Sequence, residues 1–338
     1  LAKVVNGGTL ETCTAKGSIT YTPSSALANI CQIGGLVGNN FGGTITGCTN
    51  EATVTMGDSG ETHASQVSVG GVVGRTQKNE VPEGSELQAT QGNISNCINN
   101  GTVICNAKLS ENVYLGGVIG FQVEKAEAAS GCVNNGLVKL GSTFATEKAL
   151  HIGGVIGVGK GTIENCSNGA NGVVTTEDGA TAGTYICQGG VVGRLSSDAG
   201  EYSGLANAGK INAAAAGAGS GSYIGGTVGR CDEGSSISNC TNTGGKLEYT
   251  GVTSTCPLHI GGIVGQSKTG VSSCTNATEI VVGGEYTKNE AGKYLSIGGI
   301  VGRQAADKEL SNNTNTAAVT FSGYASGYTA LGGIVGYC

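Results

Sequence analysis

The apolar residues of this chain fall into short blocks that recur at a nearly constant interval. The clearest block is Gly-Gly-x-x-Gly, with Val, Ile, Leu or Thr at the two middle positions. Its nine copies begin at Gly34, Gly70, Gly116, Gly153, Gly189, Gly225, Gly261, Gly298 and Gly332. Neighbouring copies are between 34 and 37 residues apart, except for one interval of 46 residues. A fixed period of this length predicts a repeat protein in which each unit buries its apolar face against its neighbours.

The polar residues repeat with the same period. Most copies of the Gly phrase are followed by a second phrase, which reads Ile-Ser-Asn-Cys-x-Asn-x-Gly in its cleanest form. Its Cys position holds Cys13, Cys48, Cys97, Cys132, Cys166, Cys240 and Cys274, and in the two remaining units Leu205 and Asn313. Two residues later stand Asn50, Asn99, Asn134, Asn168, Asn207, Asn242, Asn276 and Asn315. Identical residues that stack can pass side-chain hydrogen bonds from unit to unit, so we predict a structural ladder of Cys and Asn.

A third segment alternates apolar and polar residues with period two, as in Val54/Met56 and Val138/Leu140, which is typical of half-buried strands. No segment shows the 3.6-residue period of a helix, so each unit is predicted to hold three short strands and three bends. Such units stack as an all-β, right-handed parallel β-helix (a β-solenoid) of about nine rungs of about 36 residues. Residues 1–338 form a single domain in this prediction, with a loop insertion at 75–93 in the long unit.

The sequence leaves two uses of the Gly pairs open. Gly supplies a positive φ at a corner, and it also lets a neighbouring strand approach where a Cβ would clash. The Asn column has two uses as well, because Asn tolerates left-handed backbone angles besides forming amide ladders. Cys at an inward position is interpreted as a small, polarisable core residue.

Composition narrows the classes of function. Gly contributes 63 residues but Pro only 3, which excludes collagen, and charged residues at 12% are too few for a disordered chain. The net charge of -6 argues against nucleic acid as a partner. No stretch reaches the roughly 20 apolar residues of a membrane-spanning helix. Residues 1–5 are too short for a signal peptide, so an export signal or anchor is expected to lie outside this chain.

The thirteen Cys allow two interpretations. One is a buried column of reduced thiols, and the other is a set of disulfides between rungs, which an oxidising compartment would favour. Outside the column, the better disulfide candidates are Cys31, Cys187, Cys231, Cys256 and Cys338. A metal site is the least favoured interpretation, because no Cys-x-x-Cys pair occurs and Cys is not clustered with His. We predict no bound metal and no cofactor.

Residues that could perform chemistry are few. The three His, at positions 63, 151 and 259, are predicted to be solvated or packing residues. Common hydrolase, metalloprotease and nucleotide-binding motifs do not occur in the sequence, so no catalytic residue is predicted. Four Arg directly follow the last Gly of the Gly phrase and would share one edge: Arg75, Arg194, Arg230 and Arg303. That edge is interpreted either as a solvated bend or as a sparse basic contact surface for an anionic glycan.

The two phrases together resemble a known repeat family. Residues 260–265, Ile-Gly-Gly-Ile-Val-Gly, and residues 271–276, Val-Ser-Ser-Cys-Thr-Asn, are similar to the GLUG repeat, and the resemblance extends over essentially the whole chain. It implies an exported bacterial protein of the adhesin or fibre type, similar to surface lipoproteins of Bacteroidetes. The units are longer than the usual repeat of the family and richer in Cys. The family has no catalytic motif to carry over.

These observations predict a non-enzymatic, extracellular structural or adhesive β-solenoid of a bacterial cell surface or fibre. Its partner would be a host or bacterial surface glycan or protein, bound by loops at 75–93, 121–130 and 283–293. The alternatives are a glycan-binding surface lipoprotein and, less favoured, a β-helix polysaccharide lyase or hydrolase, which would need clustered carboxylates. Open strand edges at the ends of the coil also allow end-to-end self-association.

Overall fold

In a computed structural model, the chain winds into a coil whose successive turns pair through parallel strands. The structure describes residues 3–5, 7–25, 27, 29–79, 89–123, 127–196, 201–217, 219–232, 236–251, 256–286, 294–305 and 307–338. In these ranges every strand pair is parallel and no helix occurs. The predicted parallel β-solenoid is therefore confirmed, while its right-handed winding stays a prediction.

Six sheets follow one another around the coil, the sixth in only some of the turns, starting with the strand that ends at the first Gly of the Gly phrase. Sheet 1 contains Cys31–Gly34, Val67–Gly70, Val113–Gly116, Leu150–Gly153, Tyr185–Gly189, Gly221–Gly225, Leu258–Gly261, Tyr294–Gly298 and Tyr328–Gly332. Sheet 2 contains Lys3–Val5, Val37–Phe41, Val73–Gln77, Ile119–Gln122, Ile156–Gly159, Val192–Leu195, Val228–Cys231, Val264–Ser267, Val301–Gln304 and Val335–Tyr337. Sheet 3 contains Thr9–Glu11, Thr44–Thr46, Asn93–Ser95, Ala128–Ser130, Thr162–Glu164, Glu201–Ser203, Ser236–Ser238, Val271–Ser272 and Leu310–Ser311.

The other three sheets complete the turn. Sheet 4 contains Thr14–Ala15, Thr49–Asn50, Ile98–Asn99, Val133–Asn134, Ser167–Asn168, Ala206–Asn207, Thr241–Asn242, Thr275–Asn276 and Thr314–Asn315. Sheet 5 contains Ser18–Tyr21, Thr53–Met56, Thr102–Cys105, Leu137–Leu140, Val173–Thr176, Lys210–Ala213, Leu247–Tyr249, Ile280–Val282 and Val319–Phe321. Sheet 6 contains Thr62–His63, Lys108–Leu109, Ala145–Thr146, Thr181–Ala182 and Ala216–Gly217, and Glu285–Tyr286 pairs with Tyr324–Ala325 as a separate sheet.

Most turns thus have five or six strands, where the sequence predicted three. The bends between sheets 3 and 4 are two residues long, as at 47–48, and those between sheets 4 and 5 are two to four residues long, as at 51–52. Because a two-residue bend barely interrupts the alternation of apolar and polar residues, the pattern did not resolve these strands. Nine copies of a strand bound eight complete turns, one fewer than the nine rungs counted from the Gly phrases.

The predicted loop insertion at 75–93 begins too early. Its first residues belong to the sheet 2 strand Val73–Gln77, and Asn93 already starts the next strand. The backbone N–H of Asn79 donates to the carbonyl oxygen of Thr90 at 3.0 Å, which closes the base of the insertion. Residues 80–88 of this predicted loop lie outside the described residues, as do 124–126 and 287–293 of the other two loops.

One corner of every turn has a left-handed backbone. The residue directly before the Cys position has a φ between 50° and 64° in all nine copies. These residues are Thr12, Gly47, Asn96, Gly131, Asn165, Gly204, Asn239, Ser273 and Asn312. Gly adopts this conformation without strain, and Asn is the side chain that tolerates it best, so the composition of the column follows. Left-handed angles are therefore required three residues before the Asn ladder and not in the ladder itself.

Asn239 tests this corner because its side chain is exposed and its φ is +53°. We expect Asn239→Ala to lower the free energy of unfolding by about 1 kcal/mol, since a Cβ without a polar tip is strained in this region. Asn239→Gly should change it by only a few tenths of a kcal/mol, because Gly carries no such strain. Urea unfolding of the three proteins gives the comparison. Equal losses in both variants would show that the side chain, and not the backbone, matters at this corner.

The Gly pair is needed because neighbouring backbone lies too close for a Cβ, and not because the backbone has a positive φ there. A Cβ on Gly34 would lie 2.0 Å from the carbonyl oxygen of Val37. A Cβ on Gly35 would lie 2.1 Å from the carbonyl oxygen of Gly71 in the next turn and 2.4 Å from Oδ1 of Asn50. The corner between sheets 1 and 2 therefore reaches inward until it touches the Asn column.

This contact between corner and Asn column divides the interior into two cores. Sheets 2 and 3 and the Cys column enclose the first core, which includes Val73, Ile94 and Cys97. Sheets 1, 5 and 6 enclose the second core, which includes the predicted inward pairs such as Val138 and Leu140. The side chains on the inner faces are almost all fully buried in the interior turns. At roughly 25 cal/mol per Å² of apolar surface, this burial is the main source of stability.

A buried polar residue, Gln188, interrupts the second core in the middle of the coil; its position is called the polar step. Gln188 stands where the other copies have an apolar residue before the Gly pair, and it is 1% exposed. Its Nε2 donates to the carbonyl oxygens of Val174 at 3.3 Å and Asn212 at 3.1 Å. Thr176 Oγ1 donates to its Oε1 at 3.4 Å, so the buried amide is satisfied on both sides. The apolar residues of the second core form separate clusters before and after this step.

Candidate functional site

The Asn residues of sheet 4 form one continuous hydrogen-bonded column. From Asn50 to Asn315, Nδ2 of each Asn donates to Oδ1 of the Asn in the next turn at 2.7 to 2.9 Å. Nδ2 of Asn50 also donates to the carbonyl oxygen of Ala52 at 3.0 Å, and most other members repeat this second bond. All except Asn315 are at most 1% exposed. The column therefore satisfies amide groups that water does not reach.

The predicted Cys positions stack beside this column. The flanking strands pair Thr46 with Ser95 and Thr49 with Ile98, which places Cys48 over Cys97. The column thiols are free and, apart from the half-buried Cys13, they are buried. The adjacent Cys132 thiol, together with burial, raises the pKa of Cys97, so this thiol is protonated at neutral pH.

Four of the column thiols, those of Cys48, Cys97, Cys132 and Cys166, meet the same carbonyl group of the preceding turn. Sγ lies 3.6 to 3.9 Å from the oxygen of the residue three before the preceding Cys position, as in Cys97 Sγ to Ile45 O. Asn313 reproduces this contact, since its Nδ2 donates to the carbonyl oxygen of Val271 at 2.8 Å. The position therefore favours a small hydrogen-bond donor. Leu205 is the apolar exception and fills the same space without a donor.

The five predicted disulfide candidates form no disulfide with one another or with the column. Cys187 lies in register between His151 and Tyr223, and Cys231 lies between Leu195 and Ser267, so neither stacks on another Cys. Burial raises the pKa of Cys187 to about 12. A thiol with such a pKa is a poor nucleophile at neutral pH.

The four predicted Arg occupy one column of sheet 2, and their side chains are half-buried. Arg194 and Arg230 lie in register in neighbouring turns, and Asp232 bridges them. Arg194 donates from Nε at 2.9 Å and from Nη2 at 2.5 Å to Oδ2 of Asp232, and Arg230 donates from Nε to Oδ1 at 3.0 Å. Arg194 Nη1 also donates to the Tyr185 hydroxyl at 2.7 Å.

The guanidinium groups of this column lie over aromatic rings. Arg230 is 5.3 Å from the centroid of Tyr185 and 5.1 Å from that of Tyr223. Arg75 lies 5.4 Å from the ring of Phe121, and Arg303 lies 5.8 Å from the ring of Tyr337. The sequence predicted the shared edge but not these rings. A role of the edge in contacting a glycan stays a prediction.

Tyr185 and Tyr223 belong to a column of rings on the outer face of sheet 1. Tyr114, His151, Tyr223 and His259 occupy the position two before the Gly pair. The ring centroids of Tyr114 and His151 are 5.4 Å apart, those of Tyr223 and His259 are 5.7 Å apart, and Tyr185 lies between the two pairs. Sequence reasoning missed this column because its members share a position and not a residue type.

The two His of this column are at most 1% exposed, so they are packing residues and not solvated ones. Burial, together with the charges of Arg303 and Arg230, lowers the pKa of His259 to about 3. Burial, with Arg194 and Arg230, also lowers the pKa of His151 well below its ordinary value. Both imidazoles are therefore neutral in the folded chain at every pH near neutrality.

The neutral His make stability depend on pH. Below about pH 6.5 the unfolded chain binds a proton on each imidazole and the folded chain does not, so the free energy of unfolding falls as the pH falls. At pH 5 we expect each of the two His to lower the free energy of unfolding by about 2 kcal/mol relative to its value at pH 7. Urea unfolding at pH 7, 6 and 5 measures the slope, and His259→Phe should flatten it while keeping a stacked ring. An unchanged slope in this variant would contradict the assignment.

Metal-binding and membrane-spanning features were sought in the same part of the chain. Among the described residues, no group of three or more His, Cys, Asp or Glu is placed to hold a metal ion. No helix in those ranges is long and apolar enough to cross a membrane.

The parallel sheets and the stacked polar columns define a structural β-solenoid protein. A family model, the GLUG motif, matches residues 29–55, which contain the Gly phrase at Gly34 and the second phrase with Cys48 and Asn50. The same two phrases recur in the other turns, so the GLUG motif at residues 29–55 is one unit of the repeat that builds this chain. No curated protein and no solved structure matches it.

Proposed function

We propose that this chain is a non-enzymatic rod on a bacterial cell surface or in a surface fibre, where it acts as a spacer or adhesin. The observation that supports this function is the Asn column, which continues from turn to turn between Asn50 and Asn315. A rod built this way resists local opening, because each turn is held by the turns on both sides. The buried amides are satisfied within the stack and are not available for chemistry.

The side chains that could take part in catalysis or binding are packed or hydrogen-bonded, which also supports a structural role. The His and most Tyr of the outer column are packed, and Arg194 and Arg230 are engaged with Asp232 and Tyr185. The proposed partner, a surface glycan or protein, would therefore bind to loops that leave the coil. These are the predicted loops at 75–93, 121–130 and 283–293. Residues 75–77, 93, 121–122, 128–130 and 285–286 of these segments belong to strands, and 80–88, 124–126 and 287–293 lie outside the described residues.

Localisation and adhesion test this function together. Immunogold labelling of intact source cells should place the chain outside the cell, and beads coated with the chain should adhere to surfaces carrying mucin, matrix protein or polysaccharide. Saturable binding on a glycan array would favour the glycan-binding alternative. Labelling only in the cytoplasm would contradict the surface role, and cleavage of any polysaccharide in a panel would contradict the non-enzymatic one.

Assembly is a separate part of this proposal. In this chain the last turn leaves Tyr328, Leu331 and Ile334 exposed, and a second copy stacked on that turn would cover them. Sedimentation velocity over a concentration series should then show end-to-end species. A single monomeric species at all concentrations would remove self-association from the proposal and leave the rod itself unaffected.

A further inference from the structure

The thiol column has a geometry that a packing role does not require. Thiols face each other in consecutive turns in five pairs, which are Cys13–Cys48, Cys48–Cys97, Cys97–Cys132, Cys132–Cys166 and Cys240–Cys274. Cys48, Cys97 and Cys132 keep the same two carbonyl neighbours, and Cys240 and Cys274 share the one in their own turn. The sulfur atoms therefore repeat with the spacing of the strands, about 4.8 Å. In each pair, the facing thiol is among the groups that shift the pKa of its neighbour.

This spacing matches a two-coordinate metal ion. A metal–thiolate bond is about 2.3 Å long in zinc proteins, so two such bonds in a line span about 4.6 Å. Thiolate is a soft ligand that selects soft ions such as Cu(I). We propose that the thiol column binds soft monovalent ions, Cu(I) or Ag(I), with one ion between the two sulfur atoms of each facing pair.

The binding step balances without a redox partner. One ion forms bonds to the two sulfur atoms of a pair, one S–H bond breaks, and its proton passes to solvent. The metal ion brings one positive charge and the departing proton removes one, so the buried site gains no net charge. This matters because an uncompensated charge in the core would cost far more than the metal–sulfur bonds could offset. In the five-thiol stack, an inner sulfur such as that of Cys97 bridges two ions.

The surroundings restrict the choice of metal. In the described ranges no three His, Cys, Asp or Glu side chains are placed to hold one ion together, which disfavours a tetrahedral zinc site and leaves linear coordination by two thiols. Cys13 is half-buried and lines an open depression with Leu10, Ala15 and Leu36. This depression lies at one end of the five-thiol stack. Leu205 separates this stack from the pair Cys240–Cys274.

The first experiment counts the ions. The chain with Cys338→Ser, which removes the exposed thiol, is reduced and titrated with Ag(I), and with Cu(I) in the presence of a competing chelator. We expect five ions retained per chain, one proton released per ion, and X-ray absorption showing two sulfur neighbours in a linear arrangement. The circular dichroism of the β-structure should not change. Three or four sulfur neighbours, or binding only with loss of the β signal, would overturn the proposal.

The second experiment uses the position at which Leu205 interrupts the Cys column. In register with Cys166 and Cys240, Leu205→Cys completes the stack and creates two more facing pairs, so the count should rise from five to seven. Cys132→Ala removes two pairs and should lower the count to three. The matched control is Cys105→Ala, a buried thiol whose register partners are Met56 and Leu140, and it should leave the count at five. An unchanged count in Leu205→Cys, or the same loss in the control as in Cys132→Ala, would overturn the proposal.

Discussion

Asn134→Leu is expected to lower the free energy of unfolding by about 3–5 kcal/mol. Asn134 accepts a hydrogen bond from Nδ2 of Asn99 at 2.7 Å and donates one to Oδ1 of Asn168 at 2.8 Å. Leu has a similar size but neither group, so two buried amide atoms on the neighbouring turns lose their partners. Each orphaned atom costs about 1–3 kcal/mol because water cannot replace the partner. Equilibrium unfolding in urea, followed by circular dichroism, measures the loss.

The adjacent residue provides the matched control. Nδ2 of Asn135 donates to Oδ1 of Asn100 in the preceding turn at 3.1 Å, so this pair also joins two turns. It lies at the surface, where water replaces the lost bond, and Asn135→Ala should cost less than about 1 kcal/mol. An equal loss in both variants would show that burial of the Asn column contributes nothing, and the ladder would then be a consequence of stacking and not a cause of stability.

The Asn ladder was predictable because it depends on the repeat alone. Once the period is known, residues at the same position must stack, and eight Asn at one position indicate an amide column. The same reasoning identified the Cys column, the inward pairs of sheet 5 and the register of Arg194 with Arg230. All these features lie within one column and need no knowledge of what lies across the coil.

Features that depend on contacts across the turn could not be predicted. The corner between sheets 1 and 2 folds inward to touch Asn50, and this divides the interior into two cores. For that reason the outer face of sheet 1 is covered by sheet 2, and His151 and His259 are buried where solvent was one of the expected surroundings. The left-handed corner was missed for a different reason. Asn96, Gly131 and Ser273 share a backbone angle but differ in residue type, so no single-residue repeat marks the position.

Gly117→Ala is expected to destabilise the fold strongly, although it adds only one methyl group. The new Cβ would lie 2.0 Å from the carbonyl oxygen of Gly154 in the next turn and 2.5 Å from Oδ1 of Asn134. The first of these atoms belongs to the backbone, so it cannot move aside without separating two turns. We expect a loss above about 4 kcal/mol, which single substitutions reach only when they break a core feature of the fold. Urea unfolding measures it, and the yield of folded protein gives a second readout if the variant is too unstable.

The last copy of the Gly phrase provides a control at the same position of the repeat. Gly333 is the second Gly of its pair, as Gly117 is, but a Cβ built on it meets no atom within 4 Å. Neither residue has a positive φ, so Ala is compatible with the backbone at both positions. Gly333→Ala should therefore change the free energy of unfolding by less than about 0.5 kcal/mol. If both variants lost the same amount, the Gly pair would be required for its conformational freedom. The close approach of consecutive turns, which makes the coil narrow and divides its core, would then have another cause.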